Sequence, residues 1–199
     1  MRKTTLNILM ILATIGLFSL NFTPVFAQQV LIQIMGGGYR LDGPSLIDFP
    51  AQTASVTGAV TSERSIRDIT DPKPYLQVSD ENGGRPFDIQ VTALNPLESA
   101  EGNTIALTNF LVKNTSGTGN DIDTIQGRSD GLTLNSLLDE YYQDPPANTI
   151  PNDLSATKVL ATGVGQLPGE WRIYPGFRID IPSSTDIGTY QTNITFTII

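Results

Sequence analysis

The stretch GTYQTNITFTII, residues 188–199, alternates in twos. Tyr190, Thr192, Ile194, Phe196 and Ile198 fall on one face, and Gln191, Asn193, Thr195 and Thr197 on the other, which is the period of a half-buried β-strand. The same pattern recurs upstream in short segments rich in Val, Ile, Thr, Phe and Tyr, set apart by Gly, Pro, Asn and Asp. Such spacing predicts an all-β chain, a single Ig-like or Greek-key β-sandwich with a short helical insertion.

Working back from the terminal stretch, EWRIYPGFRIDIP reads as two strands around Pro175-Gly176, and Ser155–Ala161 as another. TIALTNFLVKN carries apolar residues in both alternations, so it is expected to be central and covered on both faces. PYLQVSDENGGRPFDIQVTA predicts a hairpin of Tyr75–Ser79 against Phe87–Ala93, because Asn82-Gly83-Gly84 takes positive φ cheaply. Two further strands are expected at Ser45–Phe49 and Thr53–Val60. SLLDEYYQ is the helical candidate, with Ser136 as N-cap, Asp139 at the capping-box position and Pro145-Pro146 as its stop. A first strand at Val30–Ile34 ends in Gly36-Gly37-Gly38. With no Lys-Ser/Thr or helix start after it, that glycine run reads as a joint and not as a phosphate cradle.

The N-terminus sets the expected compartment. Arg2 and Lys3 precede an apolar run from Ile8 to Leu20 and then PVFA, so residues 1–27 read as a removable export signal and 28–199 as the mature domain. The apolar run is shorter than the roughly 20 residues of a spanning helix and is followed by Asn21 and Pro24. No transmembrane segment is expected after signal removal. The C-terminal stretch shows no sorting pentapeptide, hydrophobic stop or basic tail, so attachment to a cell surface is expected to be non-covalent.

Losing Arg2 and Lys3 from the 12 basic residues leaves ten against 20 acidic ones. With no basic stripe to displace phosphate counterions, nucleic acid is excluded as an expected partner. Divalent cations and basic polymers remain open.

The chain has no cysteine and no histidine. Stability therefore has to come from an ordinary core rather than from disulfides. Triads with histidine, HExxH helices and His-ligated zinc are ruled out, and the lysines after the signal, Lys73, Lys113 and Lys158, stand in polar contexts. The expectation is a non-enzyme without a resident cofactor. In NDIDTIQGRSDG, Asn120, Asp121, Asp123 and Asp130 offer oxygen ligands for a structural calcium, but EF-hand spacing and a terminal Glu are missing, which favours a solvated acidic loop over a metal site. Trp171, the single tryptophan, suits either stacking on a sugar ring or packing beside Ile173. Asn114-Thr115-Ser116 and Asn193-Ile194-Thr195 match glycosylation sequons.

Asp80-Glu81-Asn82-Gly83, then Phe87-Asp88-Ile89, then Gly188-Thr189-Tyr190 and Phe196-Thr197-Ile198 follow one another in an order that resembles the WxL domain, a surface module of Gram-positive bacteria and some other lineages. That family is named for two Trp-x-Leu tripeptides; here Phe replaces Trp and Ile replaces Leu at both. The resemblance implies a secreted protein held non-covalently at the cell wall by binding peptidoglycan or an associated polymer, often with other surface proteins. It also implies a structural or adhesive role, with Phe87, Ile89, Phe196 and Ile198 as candidate ligand residues beside Trp171. The alternative is a fibre or pilus-type subunit assembled by strand exchange, for which Val30, Ile32 and Ile34 ahead of the triple glycine supply an alternating apolar donor.

Overall fold

The computed structural model describes residues 26–27, 38–53, 58–81, 83–114, 121–143, 150–165 and 168–199. In chain order its strands are β1 (Phe26–Ala27), β2 (Tyr39–Asp42), β3 (Val60–Ser65), β4 (Leu76–Asp80), β5 (Phe87–Ala93), β6 (Leu97–Ser99), β7 (Thr104–Ile105), β8 (Phe110–Lys113), β9 (Ile122–Gln126), β10 (Leu132–Leu134), β11 (Tyr142–Gln143), β12 (Ile150–Pro151), β13 (Lys158–Gly163), β14 (Gly169–Ile173), β15 (Gly176–Ile181), β16 (Thr189–Gln191) and β17 (Ile194–Ile198). The fold is all-β. Its ladders are antiparallel except for the two-residue pairing of β1 with β16. Among the described residues no helix is long and apolar enough to cross a membrane.

The strands form four sheets and a small hairpin, in the orders β2-β4-β14-β9, β3-β15-β8, β10-β13-β5-β17 and β1-β16-β6-β7, with β11 beside β12. The predicted alternation is present where the sequence shows it best. Phe87, Ile89, Val91 and Ala93 of β5 and Ile194, Phe196 and Ile198 of β17 are buried, while the residues between them stay half-exposed. Across the core, Phe49, Phe110, Phe177 and Phe196 run ring to ring at 6.1, 5.9 and 6.3 Å, tying β8 and β15 to β17. These contacts join the sheets into one hydrophobic core.

Three expectations change. The hairpin of Tyr75–Ser79 with Phe87–Ala93 does not form, although both strands exist. The turn chemistry is real, with Asp80 Oδ1 accepting from the Gly83 N–H at 2.7 Å and Gly83 at φ 57°. Yet six residues separate β4 from β5, enough to cross from one sheet to another. β4 then pairs with β2 and β14, and β5 with β13 and β17.

The helix over SLLDEYYQ is a single 3-10 turn, Ser136–Leu138, capped by Asn135 Oδ1 and not by Ser136. Carbonyls that an α-helix would use are taken by tertiary partners. Asn152 Nδ2 donates to Leu137 O at 3.0 Å and to Glu140 O at 2.7 Å, and the Asn114 N–H donates to Leu138 O at 2.9 Å.

TIALTNFLVKN breaks at a 3-10 turn, Leu107–Asn109, into β7 and β8. It is β15, not β8, that lies in the middle of its sheet. Phe110, Leu111 and Val112 are nonetheless all buried, as expected, because Asn152 and Leu154 close over the far side of β8.

Smaller shifts are local. The terminal stretch divides into β16 and β17, and Ser155–Ala161 starts later, as Lys158–Gly163. Ser45–Phe49 keeps only an isolated bridge at Asp48, and the strand expected at Thr53–Val60 begins at Val60, beyond residues 54–57, which lie outside the described set. Val30–Ile34 and Gly36-Gly37 also lie outside it, as do all residues of the expected export signal except Phe26 and Ala27.

Candidate ligand-binding face

The two Phe-x-Ile tripeptides are brought together. In the β5–β17 ladder Ile198 lies opposite Ile89 and Phe196 opposite Val91, and the Asp88 and Ile199 backbones exchange hydrogen bonds of 3.0 and 3.1 Å at the end of the rung. All four side chains turn into the core. The Phe87 ring sits 4.8 Å from that of Tyr39 and fills the space above Gly163, where a Cβ would come within 2.1 Å of it. Trp171 is 2% exposed, donates its indole N–H to Arg128 O at 3.0 Å and lies between Gly131 and Gly169. As direct ligand contacts, Phe87, Ile89, Phe196, Ile198 and Trp171 are therefore corrected: a polymer on the surface of the folded domain touches none of them.

The calcium candidates are apart. Asp123 on β9 accepts from the Tyr174 hydroxyl, and Asp130 pairs with Arg128, whose Nε donates at 2.7 Å and holds that carboxyl below its usual range. Asp121 is half-buried, and Asn120 lies outside the described residues. Among the described residues no three acidic side chains converge on a metal-sized space. Of the sequons, Asn114 is buried, with its amide donating to Leu160 O at 3.4 Å and to Asn135 O, so it serves the fold; Asn193 is exposed.

The polar groups gather elsewhere, on the outer face of β2-β4-β14-β9. Leu41, Leu76, Val78, Trp171 and Ile173 point inward from these strands, which leaves the alternate positions outside. The strand registers line them up in two rows. One row is Arg40, Ser79, Glu170 and Gln126; the other is Asp42, Gln77, Arg172 and Asp123.

The second row is satisfied internally. Lys73 Nζ lies 2.6 Å from both oxygens of Asp42, Arg172 Nε donates to Gln77 Oε1 at 2.9 Å, and the Arg172 guanidinium stacks 4.0 Å above the Tyr75 ring. Tyr174 closes it by donating to Asp123 under the Arg67 guanidinium, 3.7 Å from its ring.

The first row is different. Among the described residues Ser79, Glu170 and Gln126 have no side-chain partner, and Arg40 reaches only Asp42, at 3.7 Å and largely in solvent. With Asp80 and Glu81 these residues line a depression of about 390 Å³, within the range of small-ligand sites of about 300–1,000 Å³. A second depression of about 400 Å³ lies over β6 and β16, lined by Asn95, Glu98, Ser99, Thr189, Gln191 and Asn193. No residue of the first row stands out in the sequence, because cross-strand order is not written along the chain.

Tyr174 gives a test of this geometry. Burial, then the hydrogen bond to Asp123, then that carboxylate's charge push its hydroxyl up to about 12, against about 10 for a free tyrosine. The fold thus holds the protonated form. Its contribution to stability is complete below about pH 10 and lost as pH rises through about 12. Titration of phenolate absorbance should show a late step near pH 12 that Tyr174→Phe removes; complete ionisation near pH 10 with the fold intact would contradict the Tyr174–Asp123 contact.

No family model matches the chain, and no curated protein matches it. Among solved structures it is similar to a family 123 glycoside hydrolase from Clostridium perfringens, at 10% identity over 73% of this chain and 21% of that one, with a TM-score of 0.29. The chain spans about a fifth of that enzyme's length, and a likeness of this size carries no argument about activity.

Proposed function

We propose that this protein is an exported, non-catalytic cell-surface module, an Ig-like sandwich that attaches non-covalently to a bacterial wall polymer and serves a structural or adhesive role. The observation that carries the reading is the four-strand polar face, where Ser79, Glu170 and Gln126, without a side-chain partner among the described residues, line a depression on the sheet. The leader pattern of residues 1–27 and the order of motifs that resembles the WxL domain support it. Partners in this reading are the wall polymer and other surface proteins. The test is co-sedimentation of the purified protein with isolated cell walls. A folded, monodisperse protein left wholly in the supernatant would sink it.

One observation favours a second reading, a fibre subunit assembled by strand exchange. Among the described residues, the side of β16 and β17 turned away from β6 and β5 is paired only at Thr189–Tyr190, by Phe26–Ala27. Those two residues belong to the expected leader, so its removal would leave an edge able to accept an incoming strand. Ladders resistant to SDS, or filaments in micrographs, are the expected result for that reading, and a protein that stays monomeric at high concentration argues against it.

A further inference from the structure

We infer that the row Arg40, Ser79, Glu170 and Gln126 is the contact site for an uncharged, polyhydroxylated sugar chain, an assignment that rests on the wall-attachment reading and narrows it to one polymer chemistry.

The row crosses all four strands at right angles to them. At about 4.8 Å per strand gap it is about 14 Å long, a line of contacts and not a point. It is held by paired strands and not by loops, so its groups are spaced before a ligand arrives.

Its chemistry is mixed in a particular way. The Glu170 carboxylate can only accept hydrogen bonds, the Arg40 guanidinium can only donate, and the Ser79 hydroxyl and Gln126 amide can do both. A hydroxyl is at once donor and acceptor. Neighbouring hydroxyls on a sugar can therefore satisfy such a row, and the bonds to Glu170 and Arg40 are charge-assisted and stronger than neutral ones. The adjacent row of Asp42, Gln77, Arg172 and Asp123 is already bonded within the protein, so recognition falls to the first.

Charge decides between polymers. Arg40 stands against Asp80, Glu81 and Glu170 around the depression, and the chain carries a formal net charge of −8. A phosphate- or carboxylate-rich polymer meets repulsion both at the site and at long range. An uncharged chain meets none, and its binding should barely respond to salt.

The experiment is calorimetric titration of the whole purified protein with a β-1,4-linked N-acetylglucosamine oligomer and, separately, with poly(glycerol phosphate), at low and high salt, alongside sedimentation with intact walls. Saturable, salt-insensitive binding of the oligomer is expected, with none of the phosphate polymer. Glu170→Ala should weaken it about 10- to 100-fold, the value of a charge-assisted hydrogen bond, and Glu170→Gln less. Because Glu170 points outward, the near-ultraviolet signal of Trp171 should be unchanged in both variants. Oligomer binding that is equal in wild type, Glu170→Ala and Ser79→Ala would overturn the site. Sedimentation with walls but no oligomer binding would overturn the ligand chemistry and leave wall attachment standing. Failure of both would overturn wall attachment as well.

Discussion

Phe196→Ala is expected to destabilise the domain by about 3–5 kcal/mol, the usual cost of emptying a buried aromatic site. The ring is fully buried, meets Phe177 edge-on at 6.3 Å and lies opposite Val91 in the β5–β17 ladder. Against a total stability of about 5–15 kcal/mol for ordinary domains, that is a large share. Denaturant unfolding measures it directly, as a lower midpoint at an unchanged slope. The functional consequence is indirect: any loss of wall binding in Phe196→Ala should match the loss of folded protein. Phe196→Leu separates the two roles. It keeps most of the apolar volume and should cost about 1–2 kcal/mol, leaving a folded domain with full binding. Binding lost from a fully folded Phe196→Leu variant would mean that the aromatic ring itself meets the ligand, against its place in the core.

The faces of the strands were legible because a period of two needs only neighbours in sequence. β5, β17, β4 and β14 bury the residues that the alternation assigns to one face. Pairing was not legible, because it depends on which strand offers the complementary ladder. The Asp80–Gly84 turn has hairpin chemistry, yet β4 and β5 each find two partners distant in sequence. The helix over SLLDEYYQ failed for a related reason: the amide of Asn152, more than ten residues downstream, takes the Leu137 and Glu140 carbonyls. The two tripeptides meet on neighbouring strands, with their apolar side chains turned inward, and neither the pairing nor its partner is written in the order of the motifs. The polar row was invisible for a different cause. Arg40, Ser79 and Glu170 are ordinary outward residues of their own strands, Gln126 comes opposite Glu170 through the register irregularity of β9 against β14, and only the registers of β2 with β4, β4 with β14 and β14 with β9 place the four in line.

Gly169→Ala is expected to cost about 1–3 kcal/mol, toward the upper end of the range for overpacking, and the cost should fall when Trp171 is made smaller. A Cβ at residue 169 would lie 2.2 and 2.3 Å from two carbons of the indole six-membered ring. Trp171 cannot swing away. Its indole N–H is tied to Arg128 O, and on the other side a Cβ at Gly131 would already be 2.4 Å from the same ring. The strand itself has to shift, and it carries Glu170 with it into or out of line with Ser79 and Gln126. Trp171→Phe removes the carbons that the new Cβ would strike but opens a cavity and ends the bond to Arg128 O, for about 2 kcal/mol alone. The double variant should then be more stable than the two single costs predict, by a coupling of about 1–2 kcal/mol. Additive costs in that cycle would mean that the indole does not fill the space beside Gly169. Because the slot lies directly beneath the polar row, the same cycle can be followed by oligomer affinity: weakened by Gly169→Ala, and recovered in part when Trp171→Phe lets the strand return.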